Sequence, residues 1–209
     1  METILKLFSR FFDYFAIATM LLPIVTSIIA RKKKKKFNSD LKLFELYIYF
    51  TFIMQIFSLV LVIFFHKHNV ILFRIYMPIH IMFFCYLLLK WAAIVKNILP
   101  FVILIGVTAI VSDYYWGISE YTPDLMFWID AVVLFILSCI LIYRIDKMKV
   151  KLPGEFIFIL YGIFLYSFFT LIGITPAFEE IRMYGFLVQS IGVVISNYFF
   201  GRSFMWLYR

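Results

Sequence analysis

Long apolar runs alternate with short polar ones along the whole chain. Seven runs stand out, over residues 12–30, 43–65, 70–94, 97–114, 124–143, 154–173 and 183–206. Each approaches the ~20 apolar residues that a helix needs to cross a hydrocarbon core. The spacing predicts an all-α fold: a polytopic membrane protein of seven transmembrane helices, in a single domain over residues 1–209. The fourth run is the shortest. It follows the third almost at once, with Lys96-Asn97 as the expected turn and Pro100 in the first helical turn, where proline is tolerated. An alternative with six spans makes 97–114 a re-entrant segment.

Charge gives the runs a direction. Arg31-Lys32-Lys33-Lys34-Lys35-Lys36 lies between the first two, and a loop that basic stays on the cytoplasmic side. Alternating from there puts Arg31 to Lys36, Lys42, Lys90, Lys96, Arg144, Lys147, Lys149, Lys151, Arg202 and Arg209 inside. Only Lys6, Arg10, Lys67 and Arg182 fall outside, and Arg74 lies within a span. This bias favours seven spans over six, with the N-terminus outside and the C-terminus in the cytoplasm. The membrane expected is the bacterial inner membrane. Lys6 and Arg10 precede the first run, but the stronger positive flank follows it and no small-x-small cleavage site is seen. A permanent helix is therefore expected there rather than a secretory signal.

Composition agrees. Apolar residues make up 65% of the chain and charged residues 15%, too little polar surface for a soluble domain of this length. The net charge of +8 sits mostly in loops that border spans, so it has a topological explanation, and nucleic acid is not an expected partner. Lys32, Lys33, Lys34, Lys35 and Lys36 are instead candidates for anionic lipid headgroups or a cytoplasmic protein partner. Cys85 and Cys139 both fall inside apolar runs and read as packing residues rather than a disulfide.

Candidate chemistry concentrates in the third run, Leu72-Phe73-Arg74-Ile75-Tyr76-Met77-Pro78-Ile79-His80. An arginine and a histidine in one membrane helix are costly in hydrocarbon and should face the bundle or water. Tyr76 and His80 are four residues apart and share a face. Pro78 removes a backbone hydrogen bond near Arg74. Asp130, in the fifth run, lies at a similar expected depth and is the natural partner for Arg74. Glu45 reads as interfacial at the start of the second run. In the last run Gln189 and Asn197 share a face and can bond across helices. The acidic, aromatic segment 113–124 and Glu179-Glu180 read as outer loops, either a solvated aromatic belt or a lid.

Catalytic patterns are missing. The three histidines, His66, His68 and His80, fall at two depths, and there is no HExxH, GxSxG, CxxC or phosphate-binding glycine loop. No metal and no cofactor are expected. No period of repeated sequence is visible. Pro23 and Pro78 have no counterparts in the last three runs, which argues against an inverted-repeat transporter.

The lysine-rich first inner loop, the stretch Leu72-x-x-Ile75-Tyr76-x-Pro78-x-His80 and the short cytoplasmic tail give the chain a layout that resembles small seven-span proteins of Bacteroidota-type bacteria. Versions of that layout also occur as sensor modules ahead of histidine kinases. The resemblance supplies no established activity; the leading expectation is a non-enzymatic sensor or accessory protein, with a cavity for a small or lipid-like ligand in the outer half of the bundle near Arg74, Tyr76, His80 and Asp130. Homo-oligomers are compatible with it. A second resemblance is to small multi-span proteins that accompany RNA-guided antiviral systems, which implies a membrane effector that permeabilises the bilayer. A lipid-directed hydrolase or small transporter is the remaining alternative.

Overall fold

The computed structural model describes residues 11, 14–33, 35–65, 70–116, 124–147, 149–174 and 182–206. Among these the chain is helical, joined by short segments, and no strand occurs. The helices are α1 (Leu21–Lys32), α2 (Ser39–Phe65), α3 (Val70–Ala92), α4 (Leu99–Trp116), α5 (Asp124–Asp146), α6 (Gly154–Ile174) and α7 (Arg182–Trp206). They follow the seven apolar runs closely. Helical residues 14–19 lead into α1, so that Tyr14–Lys32 forms one apolar stretch of 19 residues.

Five stretches among the described residues are long and apolar enough to cross a bilayer: Tyr14–Lys32, Ser39–Phe64, Leu72–Ala92, Met126–Asp146 and Gly154–Gly173. Leu99–Tyr115 is a shorter apolar helix. These helices are apolar around most of their circumference. Ile53, Phe57, Phe64, Leu104 and Ile136 remain exposed, which suits lipid better than water. The molecule is thus an all-helical protein of the membrane-embedded kind.

Local signals set the helix ends. Asn38 Oδ1 accepts the Leu41 N–H at 2.8 Å and so caps the start of α2. The Pro153 carbonyl accepts the Phe156 N–H at 3.0 Å at the start of α6. Pro78 stays inside α3, which continues past it. The end of α3 departs from expectation. The chain turns at Ala93, which takes a left-handed φ of 50°, a position usually left to glycine. The turn therefore comes before Lys96-Asn97.

The chain divides into two compact units, Met1–Phe52 with Pro153–Arg209, and Ile53–Leu152. The division falls within α2. In the first unit α6 packs along α7, and α1 packs on α7. Gly173 and Gly185 let the backbones of α6 and α7 meet: a Cβ on Gly173 would stand 2.5 Å from the Gly185 carbonyl oxygen. Ser196 Oγ lies 2.9 Å from the Gly162 carbonyl oxygen across the same interface and 2.7 Å from that of Gly192 on its own helix. Phe44 and Phe204 are fully buried and stack at 5.9 Å, with Phe37 against Phe204 at 5.6 Å.

Glu45 departs from its interfacial expectation. It is buried, and both its oxygens accept hydrogen bonds from Arg31, one of them from Nε at 2.7 Å. The Arg31 guanidinium also lies 5.1 Å from the Phe37 ring centroid. The first cation of the basic run therefore joins α1 to α2.

In the second unit α3 packs on both α4 and α5, and α4 packs on α5. Met77, Ile81 and Leu88 of α3 and Ala131, Leu134 and Leu141 of α5 are buried where these helices pack. Cys85 is buried there, Cys139 is exposed, and both are free thiols.

Candidate functional site

The second unit buries a set of ionisable side chains among these aliphatic ones. On α3 the buried positions Met77, His80, Ile81, Phe84, Cys85 and Leu88 recur at three- and four-residue steps, which is one face of a helix. His80 sits on that face and is only 6% exposed. On α5 the buried stripe is Asp130, Ala131, Leu134, Ser138 and Leu141, with Asp130 at 0%. On α4 it is Val102, Gly106, Ala109 and Asp113, whose small members admit α3 closely. Each helix thus carries a His or Asp on the face that its apolar residues turn inward, and α3 carries the Cys85 thiol there as well.

These groups form two sets. Tyr76 Oη lies 2.9 Å from His80 Nδ1, one helical turn along α3. The other ring nitrogen, Nε2, faces Asp130 Oδ2 at 3.5 Å. This is an ion-pair approach about 0.5 Å longer than an ordinary N–H···O bond. The His80 ring stands edge-on to Phe84 at 4.9 Å, which limits its rotation. In the neutral Nε2–H tautomer the Tyr76 hydroxyl donates to Nδ1 and the ring proton on Nε2 faces the carboxylate; in the neutral Nδ1–H tautomer the direction is reversed. Separately, Arg74 Nε lies 3.1 Å from Asp113 Oδ2. The arginine side chain is about half exposed and the aspartate is buried.

The expected Arg74–Asp130 pair is therefore not formed. Arg74 takes Asp113, and Asp130 faces His80. The reason is rotational. Counting residues from the ends of two spans matches depth but says nothing about which way each side chain points around its helix axis. Asp113 was expected in an outer loop, whereas α4 runs on to Trp116 and carries it into the packed interface. The step 102, 106, 109, 113 is a helical period of small or apolar residues ending in the acid, and it is the signal that would have found it.

Beside Tyr76 lies a small recess lined by Met54, Gln55, Ser58, Leu72, Phe73 and Tyr76. Its volume of about 10 Å³ is close to the least that holds one water, and Gln55, Ser58 and Tyr76 are the polar residues in its mainly apolar lining. This is far smaller than the outer-half ligand cavity expected near Arg74, Tyr76, His80 and Asp130. The polar groups there are turned on each other rather than outward into a cleft.

The remaining candidates lie in the first unit. Asn197 is buried and bonds across helices as expected, its Nδ2 donating to Thr19 Oγ1 at 3.0 Å. Gln189 is half-buried and bonds no other described side chain. Lys32, Lys33, Lys35 and Lys36 are exposed. Lys34 lies outside the described residues, as do His66, His68, Glu179, Glu180 and the segment 117–123. Among the described residues no three His, Cys, Asp or Glu side chains gather as a metal site. Compared with protein-family models, with curated proteins and with solved structures, the chain finds no match.

Proposed function

We propose that the chain is a non-enzymatic sensor or accessory protein of the bacterial inner membrane. It crosses the membrane seven times, with its N-terminus outside and its C-terminus in the cytoplasm. Its sensing element is the polar core of the second unit, and its output is the basic cytoplasmic face. There Lys32 to Lys36 engage anionic lipid headgroups and a protein partner. The observation that carries this is the burial of His80 and Asp130 against each other inside apolar helices. Such groups are expensive at membrane depth, so a protein that keeps them there uses them. The Tyr76 hydroxyl lies beside the His80 ring, but the recess next to it is only water-sized, which favours sensing over lipid hydrolysis.

The orientation is tested with a reporter fused after Arg209. Activity only in the cytoplasm is expected, and periplasmic activity refutes seven spans. Neutral residues in place of Lys32 to Lys36 should give mixed orientations. The role is tested by purification from native membrane. One cytoplasmic protein is expected to come with the chain, less of it after Asp130→Asn and none after neutralising the lysines. Ion conductance by the purified chain in planar bilayers would replace this reading with a pore-forming defence effector. Lysolipid hydrolysis would replace it with a hydrolase.

A further inference from the structure

We infer that the Tyr76–His80–Asp130 chain is a reversible proton-binding site, loaded from a water molecule in the recess beside Tyr76. The inference rests on the sensor reading and names its ligand.

Three features of the geometry carry it. The chain is continuous: hydroxyl to Nδ1 at 2.9 Å, then across the ring from Nε2 to carboxylate at 3.5 Å. Its inner end is sealed, since Asp130 has no exposed surface and is flanked by Ala131 and Leu134. Its other end meets a recess with space for a single water, where Gln55, Ser58 and Tyr76 are the polar residues of a mainly apolar lining. Nothing larger than a water fits, so the ligand that reaches Asp130 is one that travels along hydrogen bonds.

The transfer balances as follows. A hydronium in the recess gives a proton to Tyr76 Oη as the existing Tyr76 O–H bond breaks and that proton bonds to His80 Nδ1. The His80 Nε2–H bond then breaks and its proton bonds to Asp130 Oδ2. Hydronium has become water, the carboxylate has become a neutral acid, and His80 is neutral again as the Nδ1–H tautomer. Unloading is the same sequence reversed.

The charged neighbours on each packed element leave this site distinct. On α3 the groups are Tyr76, Arg74 and the thiol of Cys85. On α5 it is Asp130. On α4 it is Asp113, which pairs with Arg74 at 3.1 Å. The α2 residues at the recess, Gln55 and Ser58, are neutral. The Arg74–Asp113 pair carries no net charge, so Asp130 is the group whose charge changes on loading.

The test uses the full chain in lipid nanodiscs. Infrared difference spectra between neutral and acidic buffer should show a carboxylic-acid C=O band that grows on acidification. It should vanish in Asp130→Asn and remain in Asp113→Asn. Tyr76→Phe should slow its appearance after a pH jump by about 100-fold, the weight of a lost proton-transfer group. Nitrogen-15 spectra of the chain with His66 and His68 changed to glutamine should show His80 moving from the Nε2–H to the Nδ1–H tautomer over the same range. That keeps the test open even if Asp130→Asn fails to fold. A band that persists in Asp130→Asn, an unchanged His80 tautomer, or an unchanged rate in Tyr76→Phe overturns the site. A partner captured without any titrating band defeats only the proton site. A titrating band without a partner supports the site and defeats the sensor reading.

Discussion

Arg74 and Asp113 are joined at 3.1 Å across α3 and α4, but they are buried unequally: the arginine side chain is 45% exposed and the aspartate 3%. The two halves of the pair are therefore not equivalent. Removing the cation strands a carboxylate in the core. Removing the anion leaves an arginine whose long stem reaches polar surroundings.

That asymmetry sets the first prediction. Arg74→Leu should destabilise the second unit by about 3 kcal/mol, the scale for an orphaned buried charge. Asp113→Asn should cost only about 1 kcal/mol, as for a pair with one exposed partner. Thermal unfolding in detergent measures both, and equal losses would contradict the burial difference.

Arg31 and Glu45 carry the second. The guanidinium meets both carboxylate oxygens and lies over Phe37. Arg31→Lys keeps the charge and loses the fork, so it should cost about 1–2 kcal/mol. Lys36→Gln, on an exposed side chain, should change stability by less than about 0.5 kcal/mol. The same unfolding assay separates a structural arginine from topological lysines.

A third prediction contrasts two glycines. A methyl group on Gly173 meets the Gly185 backbone carbonyl, whereas one on Gly106 meets the Met82 thioether at 2.5 Å. Backbone cannot step aside, but methionine can. Gly173→Ala should cost about 2 kcal/mol and loosen α6 from α7. Gly106→Ala should cost less than about 1 kcal/mol. Cross-linking yield between cysteines placed on α6 and α7 reads the loosening directly.

Ala93 provides the fourth. Its left-handed φ of 50° costs an L-residue about 1–2 kcal/mol and glycine almost nothing. Ala93→Gly should therefore raise stability by about 1 kcal/mol after the added chain entropy is counted. A fall in melting temperature would mean the turn is held differently.

Much of the fold is legible in the sequence because membrane-length apolar runs leave little choice. Among the described residues the helices from α2 to α7 begin and end within a few residues of their runs, including the short fourth one, and α1 starts at Leu21, well inside the first run. Tyr76 and His80 were legible because a four-residue step on one helix fixes their contact. Partners on different helices were not. Arg74 and Asp130 matched in depth, but azimuth decides contact, and it is set by how α3, α4 and α5 bury their small residues. Glu45 was missed for a similar reason. A carboxylate at a helix start reads as solvated until a neighbouring helix brings an arginine to it.

Pro78 lies between Tyr76 and His80, and its missing N–H deletes one rung of the helix at that turn. The bond lost is the one to the Arg74 carbonyl, and the Tyr76–His80 contact ties positions 76 and 80 on either side of the proline. Loading the site reverses that contact without cutting it. Before transfer the hydroxyl donates to Nδ1, and afterwards Nδ1–H donates to the hydroxyl. The proline-containing turn of α3 thus keeps this contact in both protonation states, and what loading changes is the direction of one dipole and the charge of one carboxylate.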